Sequence, residues 1–308
     1  MIELTFIQLH KMKRLILGFV LISFTDLALG QKYRETFRLL SDKNDTAKIK
    51  NLLAEWEKSD PNDPELYTSA INFYYSNSKQ GEVSLDKTRR GNGSFPFTDS
   101  TGKVAGYLNS NPAYRSDLLA LGFRYINKGI EKFPKRLDMR FGKCYVLEQV
   151  GDYALFTAEV IRTIEYSRII KNDWFWTNNK KLDNAEHFML KSIQSYLKQL
   201  YDTENDNLLE NMERIGSTAI KYYPNNIEIL STTAVAYTLT KNYDAALVYL
   251  KQAVRINPKD FIVLNNIARA YRLKGDKANA TKYYVLTEKY GDEEAKETAR
   301  RCIKELGK

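Results

Sequence analysis

The side chains able to carry out acid–base, nucleophilic or metal chemistry are few and widely spaced. Of the two histidines, His10 lies in the first thirty residues, and His187 follows Asn184-Ala185-Glu186 at the start of an expected helix with no Cys or second His beside it. One histidine of that kind is a surface or packing residue, and a Ser/His/Asp triad would have to be built around it alone. Cys144 and Cys302 stand 158 positions apart on different expected helices without metal-ligand spacing, and read as separate buried thiols. Asp202, Glu204, Asp206 and Glu213 have calcium-loop spacing at several places, but Asn207 replaces the obligatory glycine. The better reading is that Asp206 caps a helix over Leu208–Tyr222. Gly102-Lys103 is followed by Val104, and Phe97 stands where a phosphate loop needs glycine, so no such loop is formed. No catalytic set, metal site or cofactor site is expected.

Two groups of residues remain for binding. Asn265, Arg269 and Arg272 recur at i, i+4 and i+7, on one side of a helix, where Arg and Asn can grip a carboxylate or a peptide backbone; a solvated helix face is the plainer reading. Trp174 and Trp176 flank Phe175 in a polar stretch. They are either an anchor for a peptide or sugar, or rings that plug a seam between helices. Packing is preferred, since aromatics supply most of the burial in such linkers.

The elements that must position these residues are helices. Hydrophobic residues make up 43% and charged residues 28% of the 308, which is a globular and not a disordered balance. Pro224 and Pro258 lie 34 residues apart, each preceded by a small and an aliphatic residue, Ala219-Ile220 and Ala253-Val254; Gly129-Ile130 repeats this before Pro134. Between the prolines Leu230, Ala234 and Tyr237 share a helical face, Lys241 to Asp244 make a turn, and Ala246, Leu250 and Ala253 line a second helix. Leu264, Ala268, Tyr271, a turn at Lys274-Gly275-Asp276, then Ala280 and Tyr284 repeat the plan. These residues resemble the tetratricopeptide repeat, in which small residues let two helices approach and large ones fill the gap between neighbouring units. The resemblance implies an all-α, right-handed superhelical solenoid of helix-turn-helix pairs whose first helices line a concave groove, and hence a scaffold for a protein or peptide. The style of the chain is similar to exported repeat proteins of Bacteroidetes-type bacteria.

The expected organisation has divergent helix pairs over 31–224, two clear repeats over 225–291 and a capping helix over 292–308. Two stretches interrupt it. Residues 78–111 are rich in Gly, Ser, Thr, Asn and Asp, and are either a hairpin of Glu82–Leu85 with Ser94–Phe97 about Gly91-Asn92-Gly93, or a loop without fixed structure. The other covers 169–183 and holds both tryptophans.

Residues 1–30 differ from the rest. Lys11, Lys13 and Arg14 precede an uncharged run, Leu15 to Phe24, and Ala28 and Gly30 stand before Gln31. This is the pattern of a secretory signal peptide, with Met12 as an alternative start, and it predicts an exported periplasmic or secreted chain. The run is too short to span a bilayer, and no Cys near Gln31 offers a lipid anchor, so membrane contact is expected only through export. The net charge of +9 favours an acidic partner, while the mixed charge pattern gives no nucleic-acid signature. A carbohydrate or cell-wall ligand held by Trp174 and Trp176 is the alternative function.

Overall fold

The computed structural model describes residues 30–88 and 94–307. The expected signal segment up to residue 29, His10 upstream of it, the alternative start Met12 and the expected turn at Gly91-Asn92-Gly93 lie outside the described residues. Thirteen α-helices follow one another among the described residues, and they divide into two compact units.

Unit 1 runs to Val146 and includes 175–180. It contains α1 (30–42), α2 (Thr46–Ser59), α3 (Pro64–Ser78), α4 (Ser116–Lys132) and most of α5 (Leu137–Gln149). Tyr33 of α1 stacks on the fully buried Trp56 of α2, with ring centroids 5.6 Å apart. Helices α3 and α4 approach closely because glycine faces tyrosine: a Cβ on Gly129 would lie 2.6 Å from Tyr67 Cβ. Between α3 and α4 the chain makes a three-stranded antiparallel sheet, β1 (Lys79–Asp86), β2 (Ser94–Thr98) and β3 (Val104–Tyr114), in the order β1-β3-β2. This corrects the expected hairpin. Both expected strands form, but neither pairs with the other. Each pairs with β3, which lies between them, and the tight connection is the Asp99–Lys103 turn, where Asp99 accepts the Thr101 and Lys103 backbone N–H groups.

Unit 2 holds 147–174 and 181–308. Its helices are α6 (Tyr153–Ile169), α7 (Ala185–Asp202), α8 (Leu209–Tyr222), α9 (Ile227–Leu239), α10 (Tyr243–Ile256), α11 (Phe261–Lys274), α12 (Lys277–Tyr290) and α13 (Glu293–Leu306). Successive helices pack as hairpins, α7 with α8, α9 with α10 and α11 with α12, and α13 covers α12. The repeated residues make this core: Leu230, Ala234, Ala246, Leu250, Ala253, Leu264, Ala268, Ala280 and Tyr284 are all buried. Tyr237 and Tyr271 stack on Tyr249 and Tyr283 of the partner helix, 5.6 and 5.9 Å between centroids.

Helix starts are set by short acceptor side chains. Asp152, Asn226, Asn242, Asp260, Asp276 and Asp292 each accept a backbone N–H from the first turn they precede, satisfying donors that have no partner within the helix. Asp63 does the same for α3 in unit 1. Asp206 does not cap a helix as expected. It lies in a short 3-10 turn, Asp206–Leu208, whose preceding residue Asn205 accepts the Asn207 N–H at 3.1 Å.

Candidate peptide groove

The first helices of three successive pairs in unit 2 line one groove of about 570 Å³. Helix α7 contributes Lys191, Gln194, Ser195, Lys198, Tyr201 and Asp202, whose spacing of three and four places them along one face. From α9 come Ser231, Thr232 and Val235, and from α11 Ile262, Asn266 and Arg269. The opposite faces of these helices hold the buried Ile193, Leu197, Leu230, Ala234, Ile267 and Ala268, so the core fixes their rotation and aims the polar stripe outward.

The lining carries three cations, Lys191, Lys198 and Arg269, and one acid, Asp202, which pairs with Lys198 at 2.5 Å. Asn266 Nδ2 donates to Ser231 Oγ at 3.1 Å and ties α11 to α9 across the floor. Val235 and Ile262 supply apolar surface between polar groups, as binding grooves commonly do.

The sequence-derived candidates separate here. Arg269 is exposed and lines the groove. Asn266, not Asn265, is the asparagine in the lining; Asn265 is half-buried one position round the helix. Arg272 lies farther round still and faces α13, donating to Cys302 Sγ at 3.5 Å and lying 3.5 Å from Glu305 Oε2. The three expected residues therefore do not act on one surface: at about 100° per residue Asn265 and Arg272 lie roughly 40° and 60° round α11 from Arg269, and α13 takes up Arg272. The α7 residues were missed because the repeat signal is weak upstream of Pro224; the stripe Lys191, Ser195, Lys198, Asp202 was the trace available.

Trp174 is fully buried in unit 2 and not offered to a ligand, which corrects its use as an anchor. Its Nε1 donates to Ser167 Oγ at 3.0 Å, and Tyr223 Oη donates to Asn172 Oδ1 at 2.8 Å and lies 3.1 Å from Ser167 Oγ. Burial pushes the Tyr223 hydroxyl above its ordinary pKa, against the lowering effect of its Ser167 bond. Trp176 belongs to unit 1, half-buried with its ring edge-on to Phe141 at 6.4 Å.

In unit 1 the 175–180 segment is held by ions that sequence reading passed over. Arg136 lies 2.9 Å from Glu65 Oε1 and 2.7 Å from Asp138 Oδ2, and its Nη1 donates to Asn179 Oδ1 at 3.1 Å. The Asn178 backbone N–H donates to Glu65 Oε1 at 2.8 Å. Burial opposes the charge on Arg136, but the hydrogen bond and charge of Asp138 and the charge of Glu65 outweigh it, so the guanidinium is held protonated more firmly than usual. Buried ions paired in this way fix the segment in place.

Cys144 and Cys302 are both buried free thiols. Among the described residues no group of three or more His, Cys, Asp or Glu side chains converges as a metal site would require, and no helix is long and apolar enough to cross a membrane.

The family model described as tetratricopeptide repeat matches residues 228–260, which cover α9, α10 and the turn into α11. The chain carries a tetratricopeptide repeat. The TPR plan of paired helices with small residues at the crossing extends through the α11–α12 hairpin on the buried Ala268 and Ala280. Among solved structures, the C-terminal part of a TPR repeat-containing protein from Cytophaga hutchinsonii is 15% identical, covering 84% of this chain and 78% of that one at a TM-score of 0.39. YrrB, described as a TPR protein with an unusual peptide-binding site, is 11% identical over 87% of this chain and 90% of its own, with a TM-score of 0.32. The Sgt2 TPR domain of Aspergillus fumigatus is 19% identical over 38% and 80%, with a TM-score of 0.33. No curated protein matches the chain.

Proposed function

We propose that this TPR chain is a non-catalytic scaffold that holds an extended, acidic segment of a protein partner in the groove formed by α7, α9 and α11. The observation that carries this reading is the lining itself: three cations against one acid, with Asn266, Ser231 and Gln194 able to meet a peptide backbone. Lysine and arginine at these positions favour carboxylates, and Arg269 offers a planar fork for bidentate contact. Such grooves gain specificity from charge and affinity from a few anchors. The test is fluorescence anisotropy with a labelled peptide alternating Asp and Leu, against the same peptide with Lys in place of Asp. The acidic peptide binds; Arg269→Ala weakens it by about tenfold, the scale of a lost charged hydrogen bond; and raising the salt weakens it further. Equal binding of both peptides would remove the proposal.

We also propose export, on the basic cluster and apolar run before Gln31. Amino-terminal sequencing of the secreted product should begin at Gln31, and recovery of the intact chain from the cytoplasm alone would overturn it.

A further inference from the structure

A second cavity in unit 2, of about 410 Å³, shares no residue with the groove. Its size falls within the ~300–1,000 Å³ span of small-molecule sites. Arg168 enters from the end of α6, Glu186 and His187 from α7, and Tyr222 and Asn225 from the end of α8 and the turn after it. One wall rests on a connected set of hydrogen bonds. Trp174 Nε1 and Ser167 Oγ donate in turn to Ser167 Oγ and Asn172 Oδ1, Tyr223 Oη donates to Asn172 Oδ1 at 2.8 Å, and Asn172 Nδ2 donates to Glu186 Oε2 at 2.7 Å. The buried Trp174, Ser167 and Tyr223 thus fix the Glu186 carboxylate beside the cavity through Asn172, itself a lining residue.

The charges on this cavity are opposite and do not meet. Among the described residues the Arg168 guanidinium and the His187 imidazole have no hydrogen-bond or ion-pair partner, and Arg168 does not pair with Glu186. Both charges nevertheless reach one point: burial raises the pKa of the Tyr223 hydroxyl, the Glu186 charge raises it further, and the Arg168 charge lowers it. Opposite charges that face one cavity without touching leave room for a ligand carrying both. A lone anion at Arg168 would be repelled by Glu186, and a lone cation at Glu186 by Arg168, whereas a zwitterion satisfies each. An uncharged sugar would use the hydrogen bonds and neither charge. Arg168 presents a planar fork suited to a carboxylate, His187 and Asn225 can donate beside it, and Glu186 accepts from an ammonium. Leu190, Tyr222 and Pro224 supply apolar surface. We infer that this cavity binds a free α-amino acid with an apolar side chain, its carboxylate at Arg168 and its ammonium at Glu186, independently of the groove.

Isothermal titration calorimetry on the full chain tests this with L-leucine and L-phenylalanine. Their analogues without the ammonium are 4-methylpentanoate and 3-phenylpropanoate, and those without the carboxylate are 3-methylbutylamine and 2-phenylethylamine. At least one of the two amino acids binds saturably at one site per chain, and each of its analogues binds more weakly by about tenfold or more, the scale of a lost charged contact. Arg168→Gln and Glu186→Gln each weaken the amino acid by about tenfold. Both positions are exposed, and Gln at 186 keeps an acceptor for Asn172 Nδ2, so unchanged thermal melting shows that the fold is intact. Saturable binding of neither amino acid, or variants that bind as wild type does, would overturn the inference. An analogue binding within about tenfold of its amino acid would also overturn it and reassign the cavity to a singly charged ligand. Glucose binding more tightly than both amino acids would do the same in favour of a sugar.

Discussion

At the scale of single residues, chemical type proved less informative than where the backbone points each side chain. Trp174 and Trp176 are two positions apart, yet one is a core ring bonded to Ser167 and the other packs half-buried on Phe141 in a different unit. Their adjacency in sequence suggested a shared aromatic platform, but an alternating local chain sends neighbours i and i+2 together only where the strand is regular. Here the strand at Phe175–Trp176 is two residues long and begins after Trp174. Replacing Trp174 with Ala should therefore act on stability. Loss of a fully buried indole costs roughly 3–5 kcal/mol, and the Ser167–Asn172–Tyr223 cluster loses a donor. Denaturant unfolding should show a lower midpoint for Trp174→Ala and a much smaller change for Trp176→Ala. Equal and slight effects from the two would contradict the placement.

At the scale of elements, the spacing of prolines and small residues made the two C-terminal hairpins readable. Each Pro-x-Asn/Asp triplet ends one helix and caps the next, as Pro224 to Asn226 and Pro258 to Asp260 do. The turn inside each hairpin has its own signature. The residue before the capping Asp or Asn adopts the left-handed conformation, and it is glycine at Gly151 and Gly275 but lysine at Lys241, with φ of 75°, 90° and 63°. Glycine takes this conformation without steric cost, whereas a side chain is strained there by ~1 kcal/mol. Lys241→Gly should raise stability by about 0.5–1 kcal/mol, read as a higher melting temperature, and Gly275→Ala should lower it by a similar amount. A drop in melting temperature for Lys241→Gly would show that the lysine side chain makes a contact outweighing the strain.

The sheet was less legible than the helices. Gly91-Asn92-Gly93 is a strong hairpin signal, but strand pairing is decided by which neighbour completes a ladder. The eleven residues of 104–114 serve both neighbours, pairing with β1 over 107–114 and with β2 over 104–109. In the sequence, Val104 to Tyr114 contains Gly106 and Pro112 and reads as loop, so the central strand was concealed by its composition. The groove was half legible for a related reason. Arg269 was found through helical spacing on α11, but the α7 stripe pairs with it only through the stacking of hairpins, which no local spacing encodes.

At the scale of the whole molecule, the +9 charge is put to use in particular places. Some of it lines the groove of unit 2, where α7 and α11 present Lys191, Lys198 and Arg269. Nowhere among the described residues is a charge cluster gathered around a metal-ligating set. Buried titratable groups such as Arg136 with Glu65 and Asp138 are paired with one another and bind the chain to itself. A scaffold needs surfaces of defined sign on a rigid support, and the paired helices supply the support through small residues at their crossings. A Cβ on Gly216, for instance, would lie 2.0 Å from Thr233 Oγ1 between α8 and α9.

The most direct test of the groove is selection from a random peptide display library on the wild-type chain and on a chain carrying Lys191→Glu and Arg269→Glu. Both substitutions are on exposed positions and leave the core untouched. The account predicts that wild type enriches Asp- and Glu-rich peptides and that the charge-reversed chain enriches Lys- and Arg-rich ones. The same peptides emerging from both selections would contradict it.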